Sequence, residues 1–202
     1  MIIEILQFLG ITLLLEVTPG PAVLFVMFQS AKFGLKHAFA GILGLATANV
    51  IWIVSVASGL GLLMQSSPNF YNALKYVGVL YLLYLGGKIL FKGIAVPEAE
   101  KIAASKSVLK VYLQGIFTSL TNPKALLFFL ALFPQFARED HFTEDMIFWG
   151  TLKIISLVSV MGLYAVAGNA VFRSIKNNRA ADVISRLFGL GIMGAALGVA
   201  LH

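Results

Sequence analysis

Six long apolar runs take up most of the chain, at about 2–28, 38–64, 73–91, 108–136, 146–172 and 183–201. A helix needs about 20 apolar residues to cross the hydrocarbon of a bilayer, and each run approaches or exceeds that length. In lipid, backbone polar groups are satisfied only inside helices or closed barrels. The sequence therefore predicts an all-α integral membrane protein with six transmembrane helices. Composition agrees. The chain is 59% hydrophobic and 12% charged, about half the charge of a soluble domain, and its charges cluster between the runs.

The placement of Lys and Arg orients the helices. Lys32, Lys36, Lys88, Lys92, Lys101, Lys106, Lys110, Arg173, Lys176, Arg179 and Arg186 fall in one set of connections, and Lys75 and Arg138 in the other. Both termini are then expected away from the cytoplasm. The first run enters from outside and the fourth from inside. The chain reads as a single transporter domain of two inverted three-helix repeats, about 1–91 and about 108–202, joined by a polar cytoplasmic linker at about 92–107.

The first and fourth runs are interrupted. Thr18-Pro19-Gly20-Pro21 breaks one, with Glu16 just before it, and Asn122-Pro123-Lys124 breaks the other. Proline removes a helical N–H and clashes with the preceding turn. The first run is either one bent helix or two half-helices. The paired breaks fall at similar depths from opposite faces, the pattern of a transporter built from inverted repeats. Each break leaves a half-helix N-terminus, near Ala22 and Val23 and near Lys124 and Ala125, whose N–H groups and partial positive charge suit a carboxylate. The alternative is a pair of bends used only for packing.

Glu16 lies about 21 Å into the first run by helical rise, deep for an ionised group. It is a candidate for the substrate ammonium or for a coupling proton, or a structural partner of Lys124. Lys124 is a candidate for a substrate carboxylate or for fixing its half-helix. Asn49 and Asn169, polar groups within the second and fifth runs, either line a path or bridge helices. Lys153 is expected to snorkel from the end of the fifth run to the surface. Trp52, Trp149, Tyr71, Tyr76 and Tyr112 fit membrane interfaces. His37, His141 and His202 read as solvated. The sequence contains no Cys, which removes disulfides and thiolate metal sites, and neither a metal site nor a cofactor is expected. The +6 net charge sits between apolar runs and forms no nucleic-acid-binding tract. No basic segment precedes the first run, so it does not resemble a signal peptide.

Thr18-Pro19-Gly20-Pro21, the basic loop after it, and Gly41-Ile42-Leu43-Gly44 resemble the LysE/RhtB family of bacterial amino-acid exporters. Asn122-Pro123-Lys124-Ala125, Phe128-Phe129 and Pro134-Gln135-Phe136 resemble that family's second signature, and Leu82-Leu83-Tyr84-Leu85-Gly86 its third helix. The resemblance covers the whole length. It implies six helices in two inverted halves, a homodimer, and proton-driven export of amino acids or related metabolites across the cytoplasmic membrane, with Pro19, Gly20, Pro21, Asn122, Pro123 and Lys124 as site residues. Ala22 stands where many members have Asn or Asp, and Asn49 where many lysine-type members have Asp. Both departures point away from a cationic substrate.

The expected function is export of an amino acid or small zwitterion by alternating access, with no catalysis. The candidate binding residues are Glu16, Pro19, Gly20, Pro21, Ala22, Asn49, Asn122, Pro123, Lys124 and Asn169, and Glu16 carries the proton. The expected partners are the amino acid, protons, membrane lipids and a second copy of the chain. Rival readings are a divalent-metal exporter, a membrane enzyme and a non-transporting structural subunit.

Overall fold

A computed structural model of the chain describes residues 2–18, 20–60, 107–138 and 140–175, with isolated positions between 76 and 91 and between 186 and 194. The body of the third and sixth runs, and the linker at 92–106, lie outside the described residues.

The first run forms two helices, α1 (Ile2–Val17) and α2 (Pro21–Phe33), which meet at a bend of 56°. Pro21 occupies the first position of α2, where its missing N–H breaks no helical bond. Helix α2 continues past the expected end at 28. It stops at Gly34, whose φ of +84° turns the chain directly into α3 (Leu35–Ser55). Gly can take this left-handed conformation without the steric penalty a Cβ brings.

The second run is α3, extended by a π-helical turn at Val56–Leu60. The fourth run repeats the bent pattern. Helix α4 (Val108–Leu120) gives way at Thr121 and Asn122 to α5 (Pro123–Leu127), which continues as a π turn at Phe128–Leu132 and a 3-10 turn at Phe133–Phe136. The bend is again 56°. The fifth run is the long helix α6 (Phe142–Ile175). It begins four residues before the expected start at 146. Segments 35–58 and 142–168 are each long and apolar enough to cross a membrane, and each bent pair counts as one further span. The described residues therefore hold up to four spans of an all-α, multi-helix membrane protein.

Large apolar side chains such as Leu43, Val54, Phe117, Ile147, Leu163 and Val166 face outward, as they do against lipid tails. The interior holds two apolar clusters. One gathers Phe8, Phe128, Phe129, Phe133 and Trp149 around the C-terminal half of the fourth run. The other joins α2, α3 and α6 through Val26, Met27, Ile42, Leu45 and Met161. Trp149 belongs to the first of these. It is buried, with its ring centroid 4.9 Å from that of Phe8, and does not sit at an interface. Tyr112 and Thr47 share a hydrogen bond between α4 and α3.

Helices α3 and α4 approach closely enough for backbone to meet backbone. A Cβ on Gly44 would strike the Tyr112 carbonyl and lie 3.0 Å from the Ile116 nitrogen, and one on Gly115 would strike the Gly41 carbonyl. Small residues at membrane helix contacts permit this approach. It fixes where α3 and α4 present Asn49 and Ser119.

Candidate functional site

Four carbonyls at the C-terminal end of a helix have no helical partner, and inside a membrane each needs another donor. At the end of α1 one donor is local and the others come from distant parts of the chain. The Thr18 backbone N–H and hydroxyl both donate to the Leu14 carbonyl. The Tyr164 hydroxyl of α6 donates to the Val17 carbonyl at 2.6 Å. Lys124 Nζ donates to the carbonyls of Leu15, at 2.6 Å, and Thr18, at 3.0 Å. Lys124 is thus the side chain that ties the second break to the first.

The N-terminal sides of the breaks differ. Asn122 caps α5, its Oδ1 accepting the Lys124 N–H at 3.0 Å. Gly20 precedes α2 and offers no side-chain cap. The Leu24 N–H is bonded to the Gly20 carbonyl, and Ala22 and Val23 stand in the first turn of the helix.

Both mouths open on one cavity of about 540 Å³ with its open side included. Ala22 and Val23 line it from α2, and Lys124 and Ala125 from α5. It lies between the two apolar clusters, with Leu15 and Phe128 on one side and Leu45 and Met161 on the other. Asn49 and Ser119 complete the wall. The Asn49 amide donates to the Leu45 carbonyl at 2.8 Å and reaches Ser119 Oγ at 3.5 Å.

Glu16 is buried in this wall and is not paired with Lys124. Its Oε1 accepts from Lys153 Nζ, and its Oε2 from the Ser156 hydroxyl at 2.5 Å. Lys153 is 7% exposed, so it does not snorkel to the surface. Helix α6 begins at Phe142, which places Lys153 about 16 Å along the helix by its rise, near mid-membrane. At i, i+4 and i+8, Lys153, Leu157 and Met161 share one helix face, and all three line the cavity. Lys153 Nζ also lies 5.1 Å from the Phe128 ring centroid, within cation–π range.

Of the candidate residues, Glu16, Gly20, Ala22, Asn49, Asn122 and Lys124 meet at the cavity. Pro21 starts α2 but faces outward. Pro19 lies outside the described residues. Pro123 and Asn169 lie on described helical backbone, with side chains outside the described set. Sequence reasoning missed Lys153 as a site residue, and Ser156 and Ser119 altogether. Among the described residues no group of His, Cys, Asp or Glu could hold a metal ion. Outside the spans, Arg138 makes a two-pronged contact with Asp145, with both side-chain bonds at 2.9 Å. This holds the guanidinium pKa above its ordinary value.

These features define a multi-pass helical membrane protein with a charged cavity at two broken helices. The LysE type translocator family profile matches residues 13–202. The chain is 27% identical over 203 residues to the leucine efflux protein of Klebsiella pneumoniae, covering 98% of this chain and 95% of that one. It is 31% identical over 193 residues to the homoserine/homoserine lactone efflux protein of Salmonella typhimurium, with 94% and 93% covered. It is also 31% identical to the leucine efflux protein of an Enterobacter species, with 91% and 89% covered. No solved structure matches the chain. The chain belongs to the LysE type translocator family. It is a multi-pass protein of the bacterial inner membrane, and a transporter rather than an enzyme.

Proposed function

We propose that this translocator exports a small neutral amino acid, in exchange for protons, from the cavity between the two broken helices. The observation that carries the reading is the convergence of two half-helix mouths with Glu16, Lys124 and Lys153 on one cavity. Half-helix N-termini at mid-membrane are the usual seat of a substrate carboxylate in transporters with broken helices. The N-terminal turn of α2, at Ala22 and Val23 on the cavity wall, supplies that seat, and Glu16 receives the ammonium. Leucine and homoserine, named in the relatives' cargo, are both zwitterions of this kind; homoserine lactone, named beside homoserine, carries the amine alone.

Glu16 also carries the proton. One carboxylate cannot hold a proton and an ammonium together, so each displaces the other, which is the requirement for exchange. The whole domain, 1–202, is two inverted three-helix repeats at about 1–91 and about 108–202, with a cytoplasmic linker at about 92–107 and both termini outside. The matching 56° bends support the repeat reading, and alternating access follows from rocking one repeat against the other. The chain works as a homodimer.

A divalent-cation exporter is disfavoured by the same cavity. Both Glu16 oxygens are engaged, and two lysines would repel the ion.

The test is efflux from cells preloaded with a panel of labelled amino acids, comparing the wild type with Glu16→Gln and Lys124→Met. The reading predicts faster export of a neutral amino acid, collapse of export with an uncoupler, and loss of export in Glu16→Gln at unchanged protein level. Movement of a divalent cation and of no amino acid would overturn it.

A further inference from the structure

We infer that the Glu16–Lys153 ion pair is an internal stand-in for the substrate, and that Lys153 is the residue that receives the substrate carboxylate when a zwitterion takes the pair apart. This rests on the cavity being the amino-acid site. It adds a specificity-determining residue and the rule by which cargo is chosen.

Four observations carry the inference. The two side chains are nearly fully buried, at 9% and 3% exposure, and they meet on the cavity wall. They come from segments 137 residues apart, so the contact joins the first broken helix to α6. Lys153 has Glu16 as its carboxylate partner and a ring face below it at Phe128. Lys124, the other lysine on the cavity wall among the described residues, is committed to the Leu15 and Thr18 carbonyls, which leaves Lys153 as the described cation available for exchange.

A buried pair is costly to break by removing one partner, because the other charge is left without compensation. A zwitterion avoids this. Its ammonium takes the place of Lys153 at Glu16, its carboxylate takes the place of Glu16 at Lys153, and both protein charges stay matched. The carboxylate stays near the start of α2, where Ala22 and Val23 line the same cavity. A ligand with only the amine leaves Lys153 unmatched, and one with only the acid leaves Glu16 unmatched. The site therefore selects for the presence of both charges, with the apolar wall of Leu45, Leu157 and Met161 left to accommodate the side chain. The exchange also breaks one of the contacts between α1 and α6, while the Ser156 and Tyr164 hydroxyls keep theirs to Glu16 and the Val17 carbonyl.

The test uses purified full-length protein and L-leucine and L-homoserine as probes. Each is compared with its carboxylate-blocked form, leucine methyl ester or homoserine lactone, and leucine also with the amine-free acid 4-methylpentanoate. The wild type is expected to bind the zwitterion at least tenfold more tightly than either single-charge analogue. Lys153→Met should lose at least tenfold in zwitterion affinity and bind zwitterion and ester alike, and Lys153→Arg should restore the preference. A purely structural Lys153 would lower the yield of folded protein and leave the zwitterion-to-ester ratio of the folded fraction unchanged, which overturns the inference. The wild-type comparison needs no variant to fold, and equal binding of leucine and its methyl ester overturns the inference by itself. That result would leave the amino-acid site standing, whereas failure to bind any amino acid would overturn both.

Discussion

The glycine contact between α3 and α4 can be tested by a graded series in which only the atoms met by one added methyl group differ. At Gly115 the new Cβ would run into the Gly41 carbonyl oxygen and lie 3.2 Å from Gly44 Cα. At Gly44 it would meet the Tyr112 carbonyl and the Ile116 nitrogen. These neighbours are backbone, so relief comes only by moving the helices apart. Overpacking of this kind costs about 1–3 kcal/mol, and backbone neighbours place both variants at the upper end. At Gly41 the obstacle is the Phe25 ring, 2.6 Å away. A ring can shift, and the expected cost is about 1 kcal/mol. At Gly10 and Gly162 nothing among the described residues lies within 4 Å. Alanine there should be neutral or stabilising by about 0.5–1 kcal/mol, because glycine is the poorer helix residue. Reversible unfolding of purified protein, followed by the fluorescence of Trp52 and Trp149, ranks the series. Separating the helices also draws Ser119, one turn from Gly115, away from Asn49, so Gly115→Ala should reduce transport in the folded fraction. Equal stability of Gly115→Ala and Gly162→Ala would refute the close contact.

Lys124→Met removes two charge-assisted bonds to carbonyls at the first break. At about 1.5 kcal/mol each, the loss is about 3 kcal/mol in the same unfolding measurement, and a stability within 0.5 kcal/mol of wild type would show that Lys124 does not tie the breaks together. Asn122→Ala removes the α5 cap and should cost about 1 kcal/mol; no change in the unfolding midpoint would count against the cap. Asp145→Asn weakens a solvent-screened pair with the exposed Arg138 and should leave the unfolding midpoint and the transport rates close to wild type. A clear loss would mean that this loop contact supports the helix packing.

The sequence marks the breaks because proline and ionisable groups are conspicuous inside apolar runs, and their consequences are local. Pro21 starts a helix, Asn122 caps one, and beside them Glu16 is buried and Lys124 half-buried. The partners of those groups are not local. Glu16 and Lys124 lie in the two breaks and suggest each other, yet Glu16 pairs with Lys153 and Lys124 with backbone carbonyls. A fifth run counted from 146 leaves Lys153 near its end. Phe142 and Met146, one turn apart, both pack into the core, and the four residues that add Glu144 and Asp145 to the first turn move Lys153 about 6 Å deeper. The same boundary leaves Trp149 near the end of the run. An aromatic near the end of a run fits an interface, but here it fills the space between α1 and the 3-10 turn at Phe133–Phe136.

The chain lacks native cysteines, so single cysteines can report directly on the cavity. The decisive measurement is the rate of labelling of Ala22→Cys and Ala125→Cys by a small thiol reagent, with and without the amino acid identified by efflux, beside His141→Cys on the exposed loop. The account predicts that saturating amino acid slows labelling at Ala22 and Ala125, one on each half-helix mouth, and leaves His141 unaffected. Variants that transport normally and label at the same rate with and without the amino acid would contradict the claim that the two broken helices enclose the substrate.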